Sequence, residues 1–159
     1  MEPPVMDISS LIALFGEQAG TPLALNQGGT LALAFDNDLT VNLEHDASQD
    51  VLHLYVIVGQ EPADYDARPA FYRELLVANV FGHDTGGASL GIDDVSGEVL
   101  LTLRLPLVSA EVGTLRDAVQ SVVETANAWR ERLAAPTRAV PAAANAPYIS
   151  TMASFDFRA

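Results

Sequence analysis

The chain has no cysteine, no lysine and no apolar run long enough to cross a bilayer. Without cysteine there is no disulfide framework, no zinc–thiolate site and no thiol nucleophile, which fits a reducing compartment. All eight basic side chains are arginines: Arg68, Arg73, Arg104, Arg116, Arg130, Arg132, Arg138 and Arg158. The missing ammonium group rules out Walker-type phosphate loops and Schiff-base chemistry. Positive charge is scarce as well, and the formal net charge of -13 repels nucleic-acid phosphates and anionic lipid surfaces. Neither nucleic acid nor membrane insertion is therefore expected. The same charge favours solubility in a protein that has to present an apolar surface. Glu2 and Asp7 precede only the short run Leu11 to Phe15, so no signal peptide is expected. A length of 159 residues suits one domain able to bury its own core.

Periodicity divides the chain into helices and strands. Ile8, Leu11, Ile12, Phe15 and Ala19 lie on one face of a helix capped by Asp7 or Ser9 and stopped by Gly20 and Pro22. Leu31, Leu33 and Phe35, then Leu39, Val41 and Leu43, alternate as two strands of a hairpin around Asp36-Asn37-Asp38. Val51 to Val58 is apolar on both faces apart from His53, as expected of a central or doubly covered strand. Glu61 to Pro69 reads as a loop. A helix follows, with Phe71, Leu75 and Ala78 on one face, and it is expected to break at Gly82. The glycine-punctuated turn Gly82 to Gly87 leads to a short strand with Ala88, Leu90 and Ile92. Asp93 to Gly97 forms a second hairpin turn before the strand holding Val99, Leu101, Leu103 and Leu105, which Pro106 ends.

Leu115, Val119, Val122, Ala126, Trp129 and Leu133 then mark the longest helix, entered near Ser109 or Thr114 and ended before Pro136. Short turns between strands imply antiparallel pairing. The expected fold is two-layer α+β: a twisted antiparallel five-stranded sheet with three helices, in the order helix, three strands, helix, two strands, helix. Residues 1–135 form this domain. Residues 136–159 are a Pro/Ala-rich tail whose composition suits an unstructured segment, yet Tyr148, Ile149, Met152, Phe155 and Phe157 at its end are costly to leave in water.

Catalytic patterns are weak. Gly87-Ala88-Ser89-Leu90-Gly91 has the spacing of a nucleophile elbow, but hairpin-like sequence rather than a helix follows Ser89, and the last histidine, His83, precedes it. His45, His53 and His83 lack metal-ligand spacing. The carboxylate pairs Asp36/Asp38, Glu44/Asp46, Asp64/Asp66 and Asp93/Asp94 fall at turns or loops, and a calcium loop starting at Asp36 would need glycine where Val41 stands. No catalytic residue, metal or cofactor is expected.

Surface remains. Leu75, Leu76, Val77, Ala78, Val80 and Phe81 leave almost no polar side on the central helix end, so one sheet cannot cover it and a second subunit is expected to. Ala78-Asn79-Val80-Phe81-Gly82 followed by Thr85-Gly86-Gly87-Ala88-Ser89-Leu90-Gly91 resembles the middle segment of class I type III secretion chaperones, the Tir-chaperone-like family. The amino-terminal helix ending near Gly20, the hairpin Leu31 to Val41 and the run Val123 to Leu133 extend the resemblance over about Ile8 to Leu133. It implies a non-enzymatic, cytoplasmic bacterial homodimer that holds the amino-terminal chaperone-binding segment of a secreted effector or secreted component, without ATP. The secretion ATPase or export apparatus is a further partner in that picture. The client patch it implies comprises Leu11, Phe15, Leu31, Leu33, Phe35, Val41 and Leu43, and the dimer seam Leu76, Val77, Val80, Phe81, Leu90 and Ile92. The tail departs from the family pattern and is a candidate occupant of the patch until a client displaces it. Two other readings remain open: a dimeric regulatory adaptor that binds a folded secretion component, and a small-ligand binder or enzyme favoured only by His53, His83 and the glycine turn.

Overall fold

Asp7 starts the first helix. In the computed structural model, which describes residues 6–135, its carboxylate accepts the Ser9 and Ser10 amides at 3.0 and 3.1 Å and the Ser10 hydroxyl at 2.7 Å. Those bonds satisfy donors that no helical carbonyl can reach. The helix, α1, spans Ile8–Ala19 and closes on Gly20 in the left-handed conformation. Three strands follow: β1 (Thr30–Phe35), β2 (Leu39–Asp46) and β3 (Val51–Gln60). Helix α2 (Arg68–Ala78), strands β4 (Ser89–Ile92) and β5 (Glu98–Pro106) and helix α3 (Val112–Ala134) complete the described chain. The sheet order is β1-β2-β3-β5-β4, with every neighbouring pair antiparallel. This is the expected two-layer α+β architecture of five strands and three helices.

Register explains which side is core. Leu31, Leu33 and Phe35 pair with Leu43, Val41 and Leu39 across a turn in which Asn37 and Asp38 both have positive φ. Leu52, Leu54 and Val56 of β3 and Leu101 and Leu105 of β5 continue the same face and are buried. Against it lie Leu11, Ile12 and Phe15 of α1 and Leu115, Val119, Val122, Ala126 and Trp129 of α3. The alternate positions, among them Thr40, Glu44, His53, Tyr55, Ile57 and Arg104, are exposed or half-buried on the other face. β3 is thus central in the sheet, as its apolar run suggests, but it is covered by helices on one side only.

Three boundaries differ from expectation. The loop before α2 is shorter than Glu61 to Pro69: Tyr65–Ala67 forms a 3-10 turn, and α2 already begins at Arg68. Pro69 is tolerated there because its missing N–H lies in the first turn, where it has no helical acceptor. At its other end α2 stops at Ala78, before Gly82, and the chain reverses at Phe81 and Gly82, whose φ values are 56° and 66°. Helix α3 is entered from Glu111, between the expected Ser109 and Thr114.

Side chains of α3 fasten the turns. The Trp129 indole donates to the Asp84 carbonyl at 2.8 Å, Arg130 donates to the Asn37 carbonyl at 2.8 Å, and Arg132 reaches Glu74 of α2 at 2.6 Å. The glycine turn lies so close to α3 that a Cβ on Gly86 would come within 2.8 Å of the Thr125 hydroxyl. Glycine is needed there for clearance and for its positive φ. The aromatic-bearing tail and its suggested docking lie outside the described residues.

Candidate protein-binding surfaces

β1 is one edge of the sheet, and its hydrogen bonding shows which peptide groups are free. Thr30 exchanges bonds with Asn26 on the side away from β2: the Asn26 amide donates to the Thr30 carbonyl at 2.9 Å, and the Thr30 amide donates to the Asn26 side chain at 3.0 Å. Strand alternation turns Ala32 and Ala34 the same way. Among the described residues no group pairs with their outward N–H and C=O. Beside this edge Asn26, Leu31, Ala32, Asn42 and Tyr55 line an open cavity of about 400 Å³.

The residues expected to form a client patch separate into two groups. Leu11, Phe15, Leu33, Val41 and Leu43 are buried in the core, Leu43 also lining the cavity beside β1. Leu31 is half-buried and Phe35 is 38% exposed, both at the β1 edge. The correction follows from the register: period-two alternation puts Leu33 opposite Val41 and Leu31 opposite Leu43 on the face that α1 and α3 cover. The strand alternation and the apolar helix faces were both visible in the sequence and, taken together, point to that burial.

The segment expected to form a subunit seam is mostly open to solvent. Leu76, Val77, Val80 and Phe81 are exposed, Phe81 at 91%, whereas Leu90 is buried and Ile92 half-buried. Leu90 pairs with Leu101 and packs in the core. Between α2 and β4 runs a cleft of about 470 Å³ lined by Tyr72, Leu75, Leu76, Leu90 and Ile92, with Glu61, Asn79 and Asp93 at its margin. Asn79 closes the outer edge of β4: its carboxamide donates to the Leu90 carbonyl at 2.9 Å and accepts the Leu90 amide at 2.8 Å. Tyr72 donates to Glu61 at 2.5 Å, and Arg68 reaches the same carboxylate at 3.3 Å. The hydrogen bond to Glu61 raises the Tyr72 pKa above the usual phenol value. Sequence analysis singled out none of Glu61, Tyr72 or Asn79 as site residues, because the Tyr72–Glu61 and Asn79–Leu90 bonds each span eleven residues, a separation that no helix or strand period marks.

Among the described residues the serine and histidines considered from the sequence are not brought together. Ser89 is exposed at the start of β4, and no described hydrogen bond links it to a histidine. His53 sits in register between Glu44 and Arg104 on the open face of the sheet. The His45 Nε2 is buried without a hydrogen-bond partner, unlike any other side-chain nitrogen or oxygen among the described residues. Among those residues no group of three or more potential ligands can hold a metal, and no helix is long and apolar enough to cross a membrane.

The model of the Tir chaperone protein (CesT) family matches residues 10–130. The chain belongs to that family. It is 29% identical to the Tir chaperone of Escherichia coli O111:H- over 116 residues, 72% of each chain, and 26% identical to that of Citrobacter freundii over the same length. Among solved structures, the ExsC–ExsE complex contains a chain with a TM-score of 0.67 at 23% identity, covering 80% of this chain and 97% of that one. The HopA1–SchA chaperone–effector complex gives a TM-score of 0.62 at 23% identity, covering 79% and 98%. The fold likeness thus extends over nearly all of the described domain. The family membership read from Ala78 to Gly91 and the three further segments agrees with these comparisons.

Proposed function

We propose that this family member is a non-enzymatic, cytoplasmic type III secretion chaperone that holds the extended amino-terminal segment of a secreted effector as a homodimer, without ATP. The observation that carries the reading is the β1 edge, whose outward peptide groups at Ala32 and Ala34 have no partner among the described residues. An extended peptide that adds a strand there pairs with the outward groups of Ala32 and Ala34, and its alternate side chains reach Leu31, Phe35 and the adjoining cavity. Two symmetric edges on one dimer raise avidity for a client with two anchoring segments. Membership of a chaperone family and likeness to a chaperone found with its effector support the same reading. The exposed strip Leu76, Val77, Val80 and Phe81 supports the dimer.

The test is Ala34→Pro. Proline removes the outward N–H of Ala34 and none of the β1–β2 ladder, and edge strands tolerate it. The variant is expected to keep its far-ultraviolet circular dichroism and dimeric mass while losing co-purification with the amino-terminal segment of its secreted client. Undiminished client retention would refute strand addition at β1.

A further inference from the structure

We propose that the carboxy-terminal segment Tyr148 to Phe157 adds a strand to the β1 edge of its own chain and so competes with a client for that edge. The inference rests on the strand-addition reading above and is tested without a client, so the two can fail separately.

β1 is an unguarded edge. Its sequence, Thr-Leu-Ala-Leu-Ala-Phe, holds no charge and no proline, the devices that ordinarily discourage pairing at an exposed strand. Asn26 closes off Thr30. Ala32 and Ala34 are exposed, and their outward peptide groups have no partner among the described residues. The opening lies between Leu31, half-buried, and Phe35, 38% exposed.

The segment suits that opening. Tyr148-Ile149-Ser150-Thr151-Met152-Ala153-Ser154-Phe155-Asp156-Phe157 contains neither proline nor glycine and is rich in residues that favour strands. Pro136, Pro141 and Pro147 punctuate the stretch before it, so pairing begins beyond Pro147. Strand alternation puts Phe155 and Phe157 on one side and Ser154 and Asp156 on the other. With Ser154 opposite Ala34 and Asp156 opposite Ala32, both rings fall on the side of Leu31 and Phe35, and the polar pair falls beside the alanines. Charge agrees as well. Residues 136–159 carry Arg138 and Arg158 against the single Asp156, whereas the formal net charge of the whole chain is -13.

The end of α3 sets the direction. Arg130 donates to the Asn37 carbonyl in the turn between β1 and β2, and α3 closes at Ala134, about one helical turn further on. The chain therefore leaves the domain near the Phe35 end of β1. From there residues 136–147 can reach roughly 40 Å, about twice the roughly 20 Å covered by the six residues of β1. Running back toward Thr30, the added strand is antiparallel to β1, as β2 already is. A linker of this length holds the segment at an effective concentration on the order of 1 mM.

Hydrogen exchange of the Ala32 and Ala34 amides in the full chain, followed by NMR, tests the proposal beside the double variant Phe155→Ser/Phe157→Ser. Both substitutions lie outside the core cluster of the described residues, so circular dichroism is expected to be unchanged. With the edge occupied about nine-tenths of the time, both amides exchange about tenfold more slowly in the wild type than in the variant. That occupancy corresponds to a dissociation constant of about 0.1 mM for the free segment, so a synthetic peptide of residues 148–157 is expected to half-occupy the variant's edge near that concentration. Rates that agree within twofold between wild type and variant would overturn the docking and leave the client reading, which Ala34→Pro tests, untouched. A peptide that restores no protection at millimolar concentration would overturn it as well. Protection in the wild type that fades on tenfold dilution would give the edge to the tail of another copy and overturn the same-chain assignment.

Discussion

Replacing Asn79 by alanine removes two hydrogen bonds at once and leaves the Leu90 amide and carbonyl without partners on the edge of β4. Each bond contributes about 0.5–1.5 kcal/mol net, and an orphaned, part-buried donor costs about 1–3 kcal/mol. The expected loss is about 2–4 kcal/mol. For a chain of this size that corresponds to a melting temperature lower by roughly 6–12 °C. Urea titration followed by tryptophan fluorescence is a suitable assay, since the one tryptophan, Trp129, is buried and tied to the turn that precedes β4. Because dimerisation adds concentration-dependent stability, the titration is run at two protein concentrations and the difference between variant and wild type is compared at each. Asn79→Asp separates the two bonds. It keeps an acceptor for the Leu90 amide but at neutral pH sets a carboxylate against the Leu90 carbonyl, so its stability relative to wild type should improve as acid protonates it. A loss below about 0.5 kcal/mol in Asn79→Ala would refute the view that this carboxamide holds α2 against β4.

Two further perturbations follow from the same structure. A Cβ on Gly16 would lie 2.5 Å from the Thr21 carbonyl and 2.8 Å from the Leu23 amide, both backbone atoms that cannot swing aside, whereas Gly91 has nothing within 4 Å. Gly16→Ala is therefore expected to cost more than about 2 kcal/mol, and Gly91→Ala less than about 0.5 kcal/mol, in chemical denaturation; equal effects would contradict the packing of the Thr21 to Leu23 segment on α1. Stability is also expected to fall at both ends of the pH scale. Hydrogen bonds from Ser10 to Asp7, from Ser48 to Asp46 and from Ser96 to Asp93 hold these carboxyls below their ordinary pKa. Their contribution is present above the unfolded-state value and lost as pH falls through the folded ones. For Tyr72 the shift is upward, through its bond to Glu61, so its contribution is present below the unfolded phenol pKa and lost as pH rises through the folded one. Urea midpoints measured from about pH 3 to about pH 11 check both arms, and an acid arm unchanged by Asp7→Ala, Asp46→Ala and Asp93→Ala together would contradict the first.

Local chemistry made much of the fold legible. Asp7 ahead of an amphipathic run, Asn37 and Asp38 between two alternating strands, and Asp93 to Gly97 before β5 each carry a cap or turn signal that needs no distant partner. The glycine segment was legible for the same reason, and of the six residues expected at a seam Leu76, Val77, Val80 and Phe81 are exposed among the described residues. What was misread was the one large-apolar side of the first hairpin, whose alternation together with the apolar faces of α1 and α3 points to the core rather than to a surface. Leu33, Val41 and Leu43 were assigned to a surface and belong to the core. The Asn79 clamp and the Tyr72–Glu61 bond join distant parts of the chain, and no periodicity announces them. Phe81 in the left-handed region was hidden by the neighbouring Gly82, the residue expected to carry the turn.

The central claim is that the β1 edge holds a secreted protein by its amino-terminal segment. Affinity capture of the tagged full chain from its source organism, with mass spectrometry of the co-eluting protein and light scattering of the complex, tests it most directly when run beside Ala34→Pro. The expected result is a dimer carrying a secreted protein retained through its amino-terminal segment, and the loss of that protein in the variant. A monomer that elutes alone, or a partner held equally well by wild type and Ala34→Pro, would contradict the account.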